Sequence, residues 1–274
     1  MFGHRPATIT RWLSRAGQHA EQVHRHVLRH LHLPHLQLDE TRTRLRARST
    51  VLWLWLSCDP LTKLVPVVAL GPRTQQTAHA VVHALGALLA PGCVPVVTSD
   101  GLRLYYYALT AHFGQWSGTG RQRRWTVAPT LLYGQVPKHY RRRRVVRVTQ
   151  RVLCGTAGRL RQALLALGLS GRLNTAFIER VNLTVRQSVA GLTRRTWATA
   201  QTAPALLLHV AWWRGYYPSI RPHHSLRVAL PYPRSREGRR VPQRDRARTP
   251  AMAAGLTTHR WTLQAFLAWP CANP

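Results

Sequence analysis

Along the chain the spacing of apolar residues changes period several times. Ile9, Trp12, Leu13 and Ala16 recur at i, i+3, i+4 and i+7. This predicts an amphipathic helix over residues 8–16, with Arg11 and Arg15 on its other face and Gly17 as its stop. Val23, Val27, Leu28 and Leu31 continue a second helical stripe over residues 19–31, which Pro34 ends. From Leu36 the texture turns to strand: residues 36–44, then the apolar run VLWLWLSC at 51–58, then residues 64–70, where Pro66 argues for an edge or a bulge. A helix over 75–89, a short buried strand over 94–98 and a helix over 102–113 follow. Residues 173–192 and 206–217 carry further helical patterns. Residues 231–250 are rich in Pro and Arg and read as loop or linker, and a short helix over 256–267 closes the chain.

The order strand, strand, strand, helix, strand, helix predicts an α/β fold, a mixed sheet flanked by helices, in the element order of a ribonuclease H-like domain. Three regions follow. Residues 1–34 form a short helical extension, in which residues 19–31 fit either the recognition helix of a partial helix-turn-helix or a plain helix. Residues 35–228 form the ribonuclease H-like domain, and residues 229–274 an Arg/Pro-rich basic tail with a short terminal helix.

Charge changes the picture most. The 274 residues hold 40 Lys+Arg against 8 Asp+Glu, a formal net charge of +32, with a pI near 11.9. All but two of the 40 are Arg, the exceptions being Lys63 and Lys138. Arg offers planar, bidentate contacts to phosphate and stacks on aromatic faces. Such a balance excludes an ordinary acid-rich metabolic enzyme and points to a polyanionic partner, nucleic acid above all. Hydrophobic residues at 45% and ten Trp supply a packed core. The start MFGHRPATIT has no signal-peptide apolar core, and the longest apolar stretch, residues 80–97, is broken by His83, Gly86, Pro91, Gly92 and Pro95. Cys58, Cys93, Cys154 and Cys271 are too scattered for a zinc site or a disulfide framework. A reduced, cytoplasmic, nucleoid-associated protein is expected.

Scarcity makes the acids informative: Glu21, Asp39, Glu40, Asp59, Asp100, Glu179, Glu237 and Asp245. A carboxylate set within an apolar strand is costly unless something binds it. Asp39 lies in QLDETRTRL, Asp59 in WLWLSCDP, Asp100 at the strand end of VPVVTSDG, and Glu179 opens the helix of TAFIERVNLTVRQ. The predicted element order pairs Asp39 with Asp100, since two strands and a helix separate them, whereas Asp59 is too close and suits the end of a strand at a DPLTK turn. Glu40 points to the opposite strand face from Asp39 and is the weaker site candidate. Glu179, Asn182 and Arg186 share a polar stripe beside the apolar Ile178, Val181, Val185, Val189 and Leu192. Asn182 would meet the DNA backbone or a metal's waters, and Arg186 a phosphate. Two aspartates and a glutamate at one point would make an oxygen-ligand site for Mg²⁺, with Mn²⁺ as substitute, suited to phosphodiester displacement.

These motifs resemble one family, the DDE-type transposases of the insertion-sequence-one kind. The matching segments are QLDE (37–40), WLWLSCDPLTKLVPVVALGPRT (53–74), TSDGLRLYYYALTAHFG (98–114), YGQVPKHYRRRR (133–144), FIERVNLTVRQSVAGLTRRT (177–196), YYPSIRPHHSLR (216–227) and RTPAMAAGLTTHRWTL (248–263). The resemblance implies a ribonuclease H-like fold, dependence on Mg²⁺, and cutting and joining of an element's terminal inverted repeats. It carries the triad onto Asp39, Asp100 and Glu179. It departs from the family at Thr41-Arg42-Thr43-Arg44, where an aromatic-containing strand is usual, and at the N-terminus, which reads as the last helix of a fuller DNA-binding region. Arg141, Arg142, Arg143 and Arg144, with Arg121, Arg123, Arg124, Arg194, Arg195, Arg11 and Arg15, are the expected contacts to double-stranded DNA, both element ends and target. Synapsis of two ends implies a homo-oligomer. A ribonuclease H-like nuclease without joining activity, and a non-enzymatic or truncated DNA-binding relic, stay open as alternatives.

Overall fold

The computed structural model describes residues 3–46, 51–193, 200–234 and 242–270. Its elements are, in order, α1 (Pro6–Val27), β1 (His35–Thr43), β2 (Leu52–Cys58), β3 (Val68–Gly71), α2 (Gln75–Leu88), β4 (Val96–Ser99) and α3 (Leu104–His112). There follow β5 (Gly114–Ser117), β6 (Arg124–Val127), β7 (Leu132–Gln135), β8 (Lys138–Arg141), β9 (Arg144–Val148), β10 (Arg151–Cys154), α4 (Ala157–Ala166) and α5 (Ala176–Ser188). The last are α6 (Ala203–Ser219), β11 (His223–Arg234), β12 (Gln243–Arg248), α7 (Pro250–Ala253) and α8 (Leu263–Leu267). By packing these fall into two units, one comprising residues 29–61 and 65–207, the other residues 1–28, 62–64 and 208–274.

The first unit is built on a six-stranded mixed sheet in the order β10-β7-β4-β1-β2-β3. β1 pairs antiparallel with β2 and β2 with β3, whereas β1 runs parallel to β4 and β4 parallel to β7. The apolar run LWLWLSC is β2, between β1 and the edge strand, with Leu54, Trp55, Leu56 and Cys58 fully buried. β3 is the edge strand and starts later than the hydrophobic run. Pro66 has no N–H to give the ladder, and the Ser57 hydroxyl receives the Val67 N–H instead (2.9 Å). Helices cover both faces. Asp39 and Glu40, adjacent on β1 and so on opposite faces, meet Asn182 of α5 and Tyr105 of α3 respectively. Val96, Leu132, Leu160, Leu164 and Leu173 pack α4 against the sheet. Two hairpins, β5–β6 and β8–β9, stand apart from the sheet.

In the second unit three expectations are corrected. Residues 6–27 form one uninterrupted helix of 22 residues rather than two helices broken at Gly17. Gly17 serves a close approach: a Cβ there would lie 2.3 Å from the Leu208 carbonyl oxygen, so a side chain would push α6 away. The expected linker over 231–250 supplies strand instead, β11 pairing antiparallel with β12. Residues 235–241 of that segment, including Glu237, lie outside the described residues. The closing helix is shorter than predicted, Leu263–Leu267, and its Phe266 is fully buried with Ala20, Val23, Ile220 and Trp261. Trp213 and Tyr217 of α6 are buried and stacked on each other, whereas Tyr216 is exposed. Among the described residues no helix is long and apolar enough to cross a membrane.

Candidate metal centre

The parallel register of β1 on β4 sets Leu38 beside Ser99, so Asp39 and Asp100, each one residue further, emerge side by side. This is the crevice at the carboxyl end of β4, where open α/β sheets bind their ligands. One carboxylate oxygen from each of Asp39, Glu40 and Asp100 can be chosen so that all lie within 4.8 Å of one another. Glu179, at the start of α5, lines the same cleft, about 630 Å³ in volume, with Asp39 and Asp100. The three acids selected from the sequence thus share one cleft. Glu40 was expected to stand aside on the other face. Its side chain does point there, yet it belongs to the tightest acidic group because Asp100 closes the strand end next to it.

Each carboxylate is oriented by specific donors. The Glu40 N–H and the Asn182 amide Nδ2 donate to the two oxygens of Asp39, at 2.9 and 2.6 Å. The Leu102 N–H donates to Asp100 (3.0 Å), closing the turn that follows β4. In a chain with 38 Arg these hydrogen bonds come from neutral groups, so no guanidinium neutralises either aspartate through them. Glu40 is held differently. Arg73, lying 4.7 Å over the Trp53 ring, donates to it through Nε (2.9 Å) and Nη2 (2.6 Å), and the Tyr105 hydroxyl donates from the other side (3.3 Å). Glu179 receives the Lys138 ammonium at 2.5 Å and the Thr175 hydroxyl. α5 is pinned to the sheet by the fully buried Gln37, whose amide donates to the Asn174 carbonyl (2.8 Å) and accepts the Ile178 N–H (3.0 Å).

Burial, and then the neighbouring Asp100 charge, push the carboxyls of Asp39 and Glu40 up to about 7. The folded protein therefore keeps protons that the unfolded chain releases above about 4. By linkage this stabilisation is complete at lower pH and is lost as the pH rises through about 7. The denaturation midpoint should fall between pH 5 and pH 8, and Asp39→Asn should flatten that fall by roughly one to a few kcal/mol. Urea titrations of both proteins at the two pH values check it, and an equal fall in both would contradict it.

Of the other predicted residues, Asn182 is buried against Asp39 as described, and its Oδ1 has no hydrogen-bond partner among the described residues. Arg186 turns to the Thr41 hydroxyl on β1. Arg141–Arg144 form the exposed tip of the β8–β9 hairpin, where Arg142 and Arg143 take positive φ values of 49° and 65° in a two-residue turn. Arg121, Arg123 and Arg124 belong to the β5–β6 hairpin, and Arg11 and Arg15 are exposed on α1 of the other unit. Arg194 and Arg195 lie outside the described residues. Asp59 ends β2 as expected, accepting the Leu61 N–H (3.1 Å) in a turn. Sequence reasoning missed Lys138, Arg73, Gln37 and Tyr105. Only Lys138 left a signal, as one of two lysines in the chain. No model of a known protein family matches the chain, and no curated protein is significantly similar to it.

Proposed function

We propose that this chain is a DNA transposase of the DDE type, with a ribonuclease H-like catalytic domain, that cleaves insertion-sequence ends and joins them to target DNA. The reading is carried by the placement of Asp39 and Asp100 side by side at the end of β4 with Glu179 facing the same cleft. The order and pairing of β1, β2, β3 and β4 are compatible with it. The donor set suits a divalent cation. Every candidate ligand is a carboxylate oxygen, Asp39 and Asp100 are hydrogen-bonded by neutral donors, and the orphaned Oδ1 of Asn182 is one more oxygen acceptor beside them. Mg²⁺, or Mn²⁺ in its place, held by Asp39, Asp100 and Glu179 would activate the attacking oxygen and stabilise the leaving one.

The protein's own part is to fix geometry. Asn182 holds one face of Asp39 through a buried amide, Gln37 ties α5 and hence Glu179 to β1, and the Arg73–Glu40–Tyr105 set stiffens the strand end from the opposite face. In the proposed sequence of steps, water attacks phosphorus at the element end and the bond to the 3′ oxygen breaks. The freed 3′-OH then attacks a target phosphodiester and displaces the target strand's own 3′ oxygen, which leaves as a hydroxyl, so each step forms one P–O bond and breaks one. The test is cleavage of a supercoiled plasmid carrying the gene's own flanking DNA. Cleavage at the element ends that needs Mg²⁺ or Mn²⁺ is expected, followed by joining of pre-cleaved ends. Cleavage without joining would support the simpler nuclease, and binding without cleavage the relic.

The arginine hairpin should contribute affinity without chemistry. Replacing Arg141–Arg144 together by Ala should weaken duplex binding and reduce the slope of log affinity against log salt by up to about 0.9 for each phosphate that the hairpin neutralises. Anisotropy titrations between low and moderate salt read this directly. An unchanged slope would place the DNA elsewhere.

A further inference from the structure

Lys138 opens β8 with its side chain 27% exposed, its Nζ 2.5 Å from Glu179 Oε1. The Thr175 hydroxyl donates to the same oxygen. Lys138 lines the cleft together with Asp39, Asp100 and Glu179. The backbone holds it there. The Val136 N–H donates to the Ser99 carbonyl (2.9 Å), so the chain leaving β7 runs along the end of β4 and Pro137 packs over Gly101. The Thr149 N–H donates to the Pro137 carbonyl (3.0 Å) and closes the base of the β8–β9 hairpin. Three residues beyond Lys138 the same strand reaches the Arg141–Arg144 tip. One hairpin thus has a single ammonium at the carboxylates and four guanidinium groups at its far end.

We infer that Lys138 is a displaceable counter-ion: it neutralises Glu179 until a divalent cation takes that carboxylate, and its released ammonium then binds a DNA phosphate, so cation and DNA binding reinforce each other. This rests on the reading of the cleft as a DNA-cleaving metal centre. An ammonium and a dication on one carboxylate repel each other at a few ångströms, so Lys138 and the cation compete for Glu179. Lysine suits the exchange, being a compact charge on a flexible stem, whereas arginine would clamp the carboxylate in a two-pronged contact. The phosphate gives the displaced charge a new partner, and linkage makes the coupling reciprocal.

The experiment compares the full-length wild type with Lys138→Met, Lys138→Arg and Asp100→Ala. Mn²⁺ binding is followed by the paramagnetic resonance of the free ion. Duplex binding is followed by fluorescence anisotropy with Ca²⁺ or with EDTA. Without DNA, Lys138→Met should bind Mn²⁺ roughly two- to five-fold more tightly than wild type, the range expected of a partly exposed ion pair. Lys138→Arg should bind no more tightly than wild type. Addition of Ca²⁺ should raise duplex affinity more in wild type than in Lys138→Met. Mere structural damage would weaken Mn²⁺ binding, so the direction of the change is diagnostic. Equal or weaker Mn²⁺ binding by Lys138→Met, or an equal gain with Ca²⁺, overturns the inference while leaving the metal centre standing. Mn²⁺ binding by Asp100→Ala that matches wild type overturns the metal centre itself, and this inference with it.

Discussion

On the proposed reading, Asp100→Ala should lower metal-dependent cleavage of DNA by roughly 10³-fold or more, because it would remove a ligand to a charge that acts only as the phosphodiester is displaced. Asp39→Asn should have a comparable effect, since it keeps the hydrogen bond from Asn182 but removes the charge beside Asp100. The informative comparison is between Glu179→Gln and Glu40→Gln. Both acids stand near the aspartate pair, Glu40 on the buried face with Arg73 and Tyr105, Glu179 in the open cleft with Lys138. If the third ligand is Glu179, Glu179→Gln abolishes cleavage and Glu40→Gln, which keeps the side chain's shape, costs less than about ten-fold. The opposite ranking would move the third ligand to Glu40 and the reaction to the tighter group of Asp39, Glu40 and Asp100. Single-turnover cleavage on pre-formed DNA complexes, with circular dichroism to confirm folding, separates the two.

Gln37→Leu should cost about 1–4 kcal/mol of stability, because the buried Ile178 N–H and the half-buried Asn174 carbonyl lose their partner. Gln37 is completely buried, and its side-chain amide is shared between the Asn174 carbonyl and the Ile178 N–H at the entry to α5. A leucine of similar volume fills the space and can satisfy neither group. Because α5 carries Glu179 and Asn182, cleavage should fall further than stability alone explains, and metal affinity with it. Chemical denaturation reads the first effect and Mn²⁺ titration at saturating folded fraction the second. A variant as stable as wild type would mean that α5 is held by Ile178, Val181 and Val185 without help from Gln37.

The elements best legible in the sequence are those whose apolar pattern is long or whose ends carry local signals. The run 51–58 could only be a buried strand, and Thr74 caps α2 through its own hydroxyl just where the helical stripe begins. The two hairpins between α3 and α5 carry no such pattern, although α4 does, with Thr156 as its cap and Leu160 and Leu164 buried one turn apart. The strands β5, β6, β8 and β9 are four or five residues long, and β9 is exposed throughout, with Val145, Val146 and Val148 facing solvent. An exposed hairpin buries no face, so no alternation of apolar and polar residues marks it. Gly17 misled for the same physical reason in reverse. A glycine that ends a helix and one that admits a neighbouring backbone look alike in one dimension, and only the position of Leu208 distinguishes them.

By itself the sequence determined that the molecule is strongly basic, that its few carboxylates are singular, and which of them stand at strand ends and at a helix start. Those properties depend on composition and on neighbours along the chain, where side-chain spacing and strand period suffice. Tertiary structure alone decided that Glu40 joins Asp39 and Asp100, that Lys138 holds Glu179, that Arg186 turns to Thr41, and that Gln37 fastens α5 to β1. Each of those pairs joins residues on separate elements or in the close quarters of a strand end. Their partners are selected by burial, register and the need to satisfy every buried polar group, and these exist only once the chain has folded.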